Sequence, residues 1–208
     1  MIAVIDFGGG NLGSLCAALT RRGATFEVTG DPAVVANASA AILPGDGAFG
    51  TTMDALAARG LDDAIRSLLA ARKPFLGICV GMQLLYERSS EHGTHEGFGV
   101  FRGEISRLSR APRVPHMGWN QLEIVGKHSF VDGVAEGSYA YFLHSYCAGV
   151  TDATVAACEY GERFAAVVAR DHVMGTQFHP EKSQSTGALL LDNFLRLTTG
   201  GLRAEAVR

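Results

Sequence analysis

Short apolar runs alternate with longer amphipathic stretches along the first half of the chain. Apolar runs that end at glycine or proline are typical of buried strands, and the longer stretches are typical of helices. We predict strands at residues 2–6, 25–28, 40–43 and 75–78. We predict helices at residues 11–23, at 80–89, and at 51–73 with a break at Gly60. This alternation indicates a parallel sheet with helices on both faces.

The second half of the chain shows a different pattern, in which strand-like runs follow one another with short turns between them. The runs lie at residues 99–108, 139–146, 154–160, 164–171 and 173–179. They predict antiparallel strands, either added to the first sheet or forming a small second sheet. A last helix is predicted at residues 186–197, followed by a polar tail at 198–208. We therefore predict one α/β domain over residues 1–208, with an open, mainly parallel sheet, helices on both faces and added antiparallel strands in the C-terminal half.

Composition and charge narrow the class of protein. Hydrophobic residues make up 47% of the 208 residues and charged residues 19%, which is typical of a globular chain. The formal net charge of -3 gives no electrostatic reason to expect a nucleic acid or an anionic membrane as a partner. The N-terminus lacks the basic segment of a signal peptide, and no apolar run approaches the roughly 18 residues that span a bilayer. We therefore expect a cytoplasmic protein.

The cysteines bear on redox state and on metal binding. They are Cys16, Cys79, Cys147 and Cys158, and no two of them form a Cys-x-x-Cys pair. This spacing does not support zinc or thioredoxin-like chemistry. We therefore expect no bound metal, and reduced thiols.

A glycine pattern near the N-terminus has more than one interpretation. Gly8, Gly10 and Gly13 follow the first predicted strand with the Gly-x-Gly-x-x-Gly spacing of a dinucleotide-binding loop. However, two residues separate the apolar run from the first glycine, and no acid is well placed at the end of the second strand to bind a ribose. The alternatives are a glycine-rich turn that leads into a helix, or a surface loop against which another molecule docks.

Cys79 lies at a predicted strand-to-helix corner, in the sequence Gly77-Ile78-Cys79-Val80-Gly81. This is the small-x-nucleophile-x-small pattern of a nucleophile elbow, in which the flanking glycines prevent clashes between strand and helix. A helix N-terminus favours the thiolate over the thiol, and the N–H of Val80 is free to point at a developing oxyanion. The alternative is a small cysteine buried in the core.

A nucleophilic cysteine needs a base, and His179 is the best candidate among the seven histidines. The others lie mostly in loop-like stretches, where we expect them at the surface. His179 ends an apolar run, and in extended backbone Glu181 would project from the same face. A carboxylate beside an imidazole fixes its tautomer and stabilises the imidazolium. The pattern predicts a Cys-His-Glu triad; the alternative is a solvated His-Glu pair at the end of a strand.

The motifs "GICVGMQLL" and "QFHPEKS" resemble those of the class I (triad) glutamine amidotransferases, and the resemblance extends over essentially the whole chain. The stretches "IDFGGGNLGS", "LPGDGAFG", "PHMGWN" and "YFLHSY" are similar to those of the members that serve histidine biosynthesis. Two positions depart from that pattern, because Phe7 stands where tyrosine is usual and Asp46 where valine or a similar residue is usual. Glutaminases that serve anthranilate, guanylate or pyridoxal phosphate synthesis, and a catalytically inactive relative, are the alternatives.

The resemblance implies a mechanism and a set of site residues. Cys79 would attack the side-chain amide of glutamine, with His179 moving the proton. The oxyanion would lie against backbone N–H groups of Val80 and of the loop at Gly45 and Asp46. No step requires a metal or an organic cofactor. The residues that would bind the substrate are Gln83, His144, Ser145 and Tyr146.

The resemblance also implies a partner, a (β/α)₈-barrel cyclase that receives ammonia through a protein channel and forms a heterodimer with this chain. Ammonia released into water would become ammonium and lose its nucleophilicity, which is why a channel is needed. The surface facing the cyclase would include Asn11, Trp119 and Lys182. Trp119, which we expect in a loop, has an alternative interpretation as an ordinary core residue. For Gln83 the alternative is an exposed helix residue.

Overall fold

An eight-stranded sheet lies at the centre of the fold in a computed structural model, which describes residues 1–10 and 12–199. The strands are β1 Ile2–Ile5, β2 Phe26–Thr29, β3 Ala40–Leu43, β4 Phe75–Ile78, β5 Tyr86–Ser89, β6 His95–Glu96, β7 Phe101–Arg107, β8 His116–Gln121, β9 Glu123–Ile124, β10 Tyr139–His144, β11 Tyr146–Ala148, β12 Thr154–Glu159, β13 Arg163–Arg170 and β14 Val173–Thr176. The α-helices are α1 Leu12–Thr20, α2 Pro32–Asn37, α3 Phe49–Ala57, α4 Leu61–Ala70, α5 Val80–Gln83 and α6 Gln184–Thr199.

The strand order of the large sheet is β2-β1-β3-β4-β14-β13-β12-β9. The first five of these strands pair in parallel, and β13, β12 and β9 continue the sheet in antiparallel pairing. Two smaller sheets flank it, with strand orders β11-β7-β5-β6 and β10-β8. The predicted fold class is confirmed: a parallel core carries added antiparallel strands from the second half of the chain.

The apolar runs of the first half form strands because both faces of the parallel sheet are covered. Every residue of β1, β3, β4 and β14 is buried, which explains why these strands do not alternate and why only Thr176, at the end of β14, is polar. The predicted break at Gly60 is also present. Gly60 has a φ of 67° and separates α3 from α4, a left-handed conformation that glycine adopts at little cost.

The predicted helix over residues 80–89 is wrong in its second half. The helix ends after four residues, at Gln83, and Tyr86–Ser89 form β5. Leu84, Leu85 and Tyr86 are all fully buried. Burial by itself does not end the helix, because the four residues of α5 are also buried. The chain leaves the helix because Tyr86, Arg88 and Ser89 pair with β7.

Three further differences concern local signals. Trp119, expected in a loop, lies in β8 and pairs with Tyr141 of β10. Helix α2 was not predicted, although Asp31 accepts a hydrogen bond from the N–H of Ala33 at its N-terminus and a proline follows. Helix α6 continues through Thr199, so the first two residues of the predicted tail are helical, and residues 200–208 lie outside the described part of the chain.

The topology brings three chain segments to one edge of the sheet. Because β3, β4 and β14 are parallel neighbours, their carboxyl ends meet there. The segments that leave these ends begin with Pro44, Cys79 and Gln177, respectively. The segment after β14 continues into a 3₁₀ helix, Pro180–Lys182, and then into α6.

Close packing of α6 holds this last segment in place, and it gives a first prediction. A methyl group added at Gly187 would overlap the carbonyl oxygen of Pro180 and would lie 2.8 Å from its Cα. Because the backbone on both sides must shift, we expect Gly187→Ala to lower the free energy of unfolding by about 1–3 kcal/mol. Urea denaturation measures the change.

Gly149→Ala is the matched control for that substitution. Gly149 is exposed, and an added methyl group there would meet nothing within 4 Å. We expect the control to change the free energy of unfolding by less than about 0.5 kcal/mol. Equal effects of the two substitutions would show that the close contact between Gly187 and Pro180 is not what holds the segment.

Candidate active site

Cys79 connects β4 to α5 in a strained backbone conformation. Its φ is 55° and its ψ is -112°, a region that non-glycine residues rarely adopt and that clusters at functional sites. The neighbouring glycines are sterically required. A methyl group at Gly81 would overlap the carbonyl oxygen of Leu43, and one at Gly77 would overlap the carbonyl oxygen of Gly81. The corner therefore has the geometry of a nucleophile elbow.

The environment of the thiol differs from the expectation in one respect. Helix α5 has only four residues, so its macrodipole is small and contributes less to a thiolate than a full helix would. The N–H of Val80 is the first of this short helix and has no acceptor within it. The sulfur of Cys79 lies 3.8 Å from Nε2 of Gln177 and 3.9 Å from the carbonyl oxygen of Leu143.

His179 and Glu181 form a buried pair beside this corner. Nδ1 of His179 lies 2.9 Å from Oε1 of Glu181, and each side chain is only 6% exposed. His179 is extended, but Glu181 lies in the following 3₁₀ helix. The two side chains therefore meet across a turn and not along an extended strand. Because a carboxylate accepts, Nδ1 carries the proton and Nε2 is left to face the thiol.

The ionisation of His179 depends on its two neighbours. Burial by itself lowers the pKa of His179, but hydrogen bonding and charge interaction with Cys79 and Glu181 outweigh burial and raise this pKa to about 10. The imidazolium is thus stabilised when the sulfur and the carboxylate are both negative. The arrangement is suited to an ion pair of thiolate and imidazolium.

A cavity of about 420 Å³ opens above Cys79. Eight of the residues proposed from the sequence line it, namely Asp46, Cys79, Val80, Gln83, His144, Ser145, Tyr146 and Lys182. An adjoining cavity of about 10 Å³, enough for one water molecule, is bordered by Gly45, Asp46, His179, Glu181 and Lys182. The structure thus places the predicted catalytic, oxyanion and substrate residues around two adjoining spaces.

The residues proposed for the partner surface have different outcomes. Lys182 borders both cavities. Trp119 lies outside them, on the exposed face of β8, and is 46% exposed. This exposure argues against its interpretation as an ordinary core residue. Asn11 lies outside the described residues.

Four residues that line the large cavity were not proposed from the sequence, namely Gly47, Glu91, Pro115 and Leu143, and Glu91 is the charged one among them. Glu91 lines the large cavity, and its Oε2 accepts a hydrogen bond of 2.7 Å from the N–H of Phe49. It follows β5 in a turn, where an acidic residue carries no local signal. Gln83, for which an exposed position was the alternative, is buried. Its Nε2 donates to the carbonyl oxygen of Tyr146 at 2.9 Å and to Oε1 of Gln177 at 3.0 Å.

The loop at Gly45 and Asp46 packs tightly against the elbow. A methyl group at Gly45 would lie 3.0 Å from Cβ of Val80 and 3.1 Å from the backbone nitrogen of Gly81. Gly47 has a φ of 115°, which requires glycine. The backbone nitrogen of Asp46 lies 3.7 Å from where a methyl group on Gly10 would be, so the N-terminal glycine-rich loop adjoins the loop at Gly45 and Asp46, which is predicted to bind the oxyanion.

The glycine-rich loop itself is poorly arranged for a nucleotide phosphate. Gly8 and Gly10 have φ values of 89° and 97°. The N–H of Gly8 already donates to the carboxylate of Asp6 at 2.8 Å. A phosphate at this N–H would meet a negative charge, which opposes binding. The loop adjoins Asp46, which fits a docking role better than nucleotide binding.

Several histidines are buried, contrary to the expectation that most lie at the surface. His116, His144 and His172 are all buried. The His116 ring stacks between Phe142 and Tyr160, with ring centroids 4.7 and 3.9 Å away. Burial lowers the pKa of His116 to about 4, and burial together with the charge of His116 lowers that of His144 to about 3. Both rings are therefore neutral at physiological pH.

Two kinds of site are not evident in the described part of the chain. Within residues 1–10 and 12–199, no group of three or more His, Cys, Asp or Glu side chains is arranged to hold a metal ion. Among the helices of the same residues, none has the length and apolar character needed to cross a bilayer. The chemistry described above uses protein side chains and backbone groups only.

The chain belongs to the class-I glutamine amidotransferase family, whose model matches residues 3–197. It is 42% identical to an imidazole glycerol phosphate synthase subunit HisH of Dehalococcoides mccartyi, over 96% of this chain and 98% of that protein. It is 44% identical to the protein of the same name from Salinibacter ruber, over 96% and 95% of the two chains.

Solved structures of glutamine amidotransferases share the fold at lower sequence identity. A crystal structure of a glutamine amidotransferase superposes with a TM-score of 0.75 at 19% identity, covering 95% of this chain and 98% of that chain. A glutamine amidotransferase from Thermotoga maritima gives a TM-score of 0.71 at 16% identity, covering 96% and 97%. At this identity the likeness concerns the fold alone.

The neutral histidines give a prediction about acid stability. Below pH 6.5 the unfolded chain binds protons at His116 and His144 that the folded protein does not bind until about pH 4 and about pH 3. Stability must therefore fall as the pH decreases, by about 1.4 kcal/mol per pH unit for each histidine that stays neutral. His179 adds no slope below pH 6.5, because its pKa is raised and it is charged in both states.

His116→Phe tests this effect, because it keeps the ring stacking and removes one titrating group. We expect the free energy of unfolding of the variant to fall less steeply between pH 6.5 and pH 4.5. The slope should decrease by about 1.4 kcal/mol per pH unit, the contribution of one histidine. Urea denaturation at several pH values measures the slope. His92→Asn is the control, because His92 is exposed and its φ of 56° is tolerated by asparagine. Equal slopes for His116→Phe and the unmodified protein would contradict the assignment.

Proposed function

We propose that this chain is the glutaminase subunit of imidazole glycerol phosphate synthase, acting in histidine biosynthesis as one cytoplasmic domain over residues 1–208. It hydrolyses glutamine to glutamate and passes ammonia to a cyclase subunit. The cyclase makes imidazole glycerol phosphate and an aminoimidazole carboxamide ribotide. The observation that carries this proposal is the strained Cys79 beside a buried His179–Glu181 pair, at the floor of a cavity large enough for an amino acid.

The reaction follows from the placement of the three side chains. The Cys79 sulfur attacks the side-chain amide carbon of glutamine, and the carbon–oxygen double bond opens to an oxyanion. The N–H groups of Val80 and of the Gly45–Asp46 loop stabilise that oxyanion. His179 gives a proton to the leaving ammonia, which leaves a γ-glutamyl thioester. Water, activated by His179, then hydrolyses the thioester and regenerates Cys79.

The three members of the triad have different roles in this scheme. Glu181 accepts from Nδ1 of His179 and does not line the large cavity, so it orients the base and stabilises its charge. Cys79 lines the large cavity, and His179 stands behind it at the border of the smaller one. A substrate in the large cavity therefore contacts the sulfur of Cys79 directly, and His179 lies on the other side of the sulfur.

Opposite charges in the cavity fit the ends of an amino acid. Glu91 and Lys182 both line it, and they complement an α-ammonium and an α-carboxylate, respectively. We propose that Gln83, Ser145 and Tyr146 bind glutamine between them. His144 shapes the wall of the cavity, because its ring nitrogens already contact His116 and the carbonyl oxygen of Tyr146, each at 3.0 Å.

An exposed apolar face on β8 and β10 supports the proposed location of the partner surface. Met117 and Trp119 of β8 and Tyr139 and Leu143 of β10 are all large and exposed, with Met117 reaching 65%. They lie on two paired strands, and Leu143 also borders the cavity. We propose that the (β/α)₈-barrel cyclase covers this face and also contacts Lys182 and Asn11.

Removing the nucleophile should separate the two activities of the complex. We expect Cys79→Ala to abolish glutamine-dependent product formation and to leave ammonium-dependent formation at raised pH unchanged, because the cyclase consumes ammonia at its own site. Steady-state assays of the reconstituted complex with glutamine and with ammonium salts measure both. Loss of both activities would mean that Cys79 serves folding or assembly.

The isolated chain should be a poor glutaminase. The oxyanion loop adjoins the glycine-rich loop that we assign to the partner surface, so its N–H groups are expected to reach their final positions only in the complex. One missing oxyanion donor costs about a hundredfold to a thousandfold in turnover. We expect a difference of that size between the chain alone and its complex with cyclase and nucleotide ligand.

The low activity of the isolated chain is tested by measuring glutamate release in three samples. These are the chain alone, the chain with cyclase, and the chain with cyclase plus its nucleotide ligand. The Cys79→Ala complex supplies the background rate. Equal turnover in all three samples would mean that the oxyanion site is complete without the partner. No glutamate release in any of them would contradict the proposed function itself.

A further inference from the structure

Gln177 has no role in the reaction described so far, yet it contacts the nucleophile. It directly follows β14 and is 0% exposed. Its Nε2 lies 3.8 Å from the sulfur of Cys79, and its Oε1 accepts from Nε2 of Gln83 at 3.0 Å. It is not among the residues that line the large cavity. Its side-chain amide thus links Gln83, which lines the cavity, to the sulfur of Cys79 from a position outside the cavity lining.

The direction of this connection is set by one backbone carbonyl. The oxygen of Tyr146 lies 2.9 Å from the side-chain amide of Gln83, and a carbonyl oxygen can only accept. The group of Gln83 that faces it must therefore be the NH₂ group. The same NH₂ group donates to Gln177, so the end of Gln177 that faces Gln83 must be the oxygen. The nitrogen of Gln177 then points at Cys79 as a donor.

The Tyr146 carbonyl oxygen also accepts a second hydrogen bond, and this bond fixes the tautomers of His144 and His116. Nδ1 of His144 lies 3.0 Å from the Tyr146 oxygen and must donate, so Nε2 of the neutral ring accepts from Nδ1 of His116 at 3.0 Å. The remaining nitrogen of His116 faces Nδ2 of Asn120 at 3.4 Å. Burial keeps both rings neutral by lowering their pKa values, so this pattern of donors persists through the physiological range.

We propose that Gln177 is a positioning residue that donates a hydrogen bond to the Cys79 sulfur, with its amide held in the donating orientation through Gln83 by the Tyr146 carbonyl. The inference rests on the proposed function and adds a residue to its chemistry. A hydrogen bond to a thiolate is charge-assisted and favours the thiolate over the thiol. It acts beside the His179 imidazolium, which also favours the thiolate, and it adds a donor where the four-residue α5 supplies only a small macrodipole.

Besides His179, two polar groups lie near the sulfur, the Leu143 carbonyl and the Gln177 amide, and they favour different protonation states. The Leu143 carbonyl oxygen, 3.9 Å away, can only accept and so receives the S–H of the thiol. The Gln177 NH₂ group can only donate and so favours the thiolate. Removal of the Gln177 donor should favour the thiol of Cys79 over the thiolate and should also leave the sulfur less precisely oriented.

The experiment measures alkylation of Cys79 by iodoacetamide against pH in the chain alone, with peptide mapping to identify the labelled cysteine. Gln177→Met keeps the length of the side chain and removes the donor. We expect alkylation at pH 7 to slow by about tenfold, and the pH profile to move to higher pH, because the thiolate loses a charge-assisted hydrogen bond. Gln177→Glu, which still accepts from Gln83 but brings a negative charge toward the sulfur, should slow alkylation further.

Asn193→Leu is the matched control. Asn193 is also a buried amide, and its Nδ2 donates to the carbonyl oxygens of Phe130 and Asp132 at 2.9 Å, on α6. We expect this variant to lose stability and to keep the alkylation profile of the unmodified protein. If Gln177→Met does not fold, Gln177→Glu provides the same comparison, because it is equal in size and retains the contact with Gln83.

Steady-state kinetics of the reconstituted complex separate positioning from substrate binding. We expect Gln177→Met to lower kcat for glutamine by about tenfold and to leave KM within about twofold, because Gln177 lies outside the cavity lining. An unchanged alkylation profile in a folded Gln177 variant would overturn the proposal, as would a rise in KM with kcat unchanged. If the proposed function failed, the unmodified complex would not hydrolyse glutamine, whereas the alkylation profile would still report on Gln177.

Discussion

The backbone of α5 passes so close to the ends of β3 and β4 that neither Gly77 nor Gly81 could carry a side chain. This close approach holds Cys79 at a φ of 55° and raises its side chain at the carboxyl edge of the sheet. The parallel pairing of β4 with β14 then aligns Ile78 with Thr176. As a result, the residues that follow each strand, Cys79 on one and Gln177 to His179 on the other, must lie side by side. The site is in this sense an outcome of strand register.

Around the sulfur, buried imidazoles are kept in opposite states by their neighbours. His179 faces a thiol and a carboxylate, and these raise its pKa in spite of burial. His116 and His144 face each other, aromatic rings and neutral amides, and burial lowers their pKa values. A charged His179 next to the neutral rings of His116 and His144 gives these histidines separate titration ranges. Acidification therefore affects the structure around the site while the His179 charge is retained.

The supporting network and the exposed apolar face share the same two strands. The inward side chains of β8 and β10 include His116 and His144, and the outward ones include Met117 and Trp119. A protein that covers the outer face would therefore contact the same strands that carry His116 and His144 on their inner face, next to Gln83 and Gln177. This arrangement gives a protein bound to the outer face a short physical route to Cys79.

The sequence by itself determined the features that depend on local backbone conformation. The spacing of Gly77, Cys79 and Gly81 predicted a strained corner, the apolar runs predicted the parallel strands, and Gly60 predicted a helix break. Each of these is decided within a few residues of the chain, by steric limits on φ and ψ or by burial of both faces of a strand. The pairing of His179 with Glu181 was also predicted, although the extended geometry used to predict it was wrong.

Only the tertiary structure decided the features that depend on residues distant in the chain. The burial of His116, the strand at Tyr86–Ser89 and the strand position of Trp119 all result from pairing with other segments. The contact of Gln177 with Cys79 joins residues 98 positions apart, and no local pattern marks a glutamine as a donor to sulfur. Such contacts follow from the register of β4 against β14, and register is set by the packing of the whole sheet and not by the residues that it brings together.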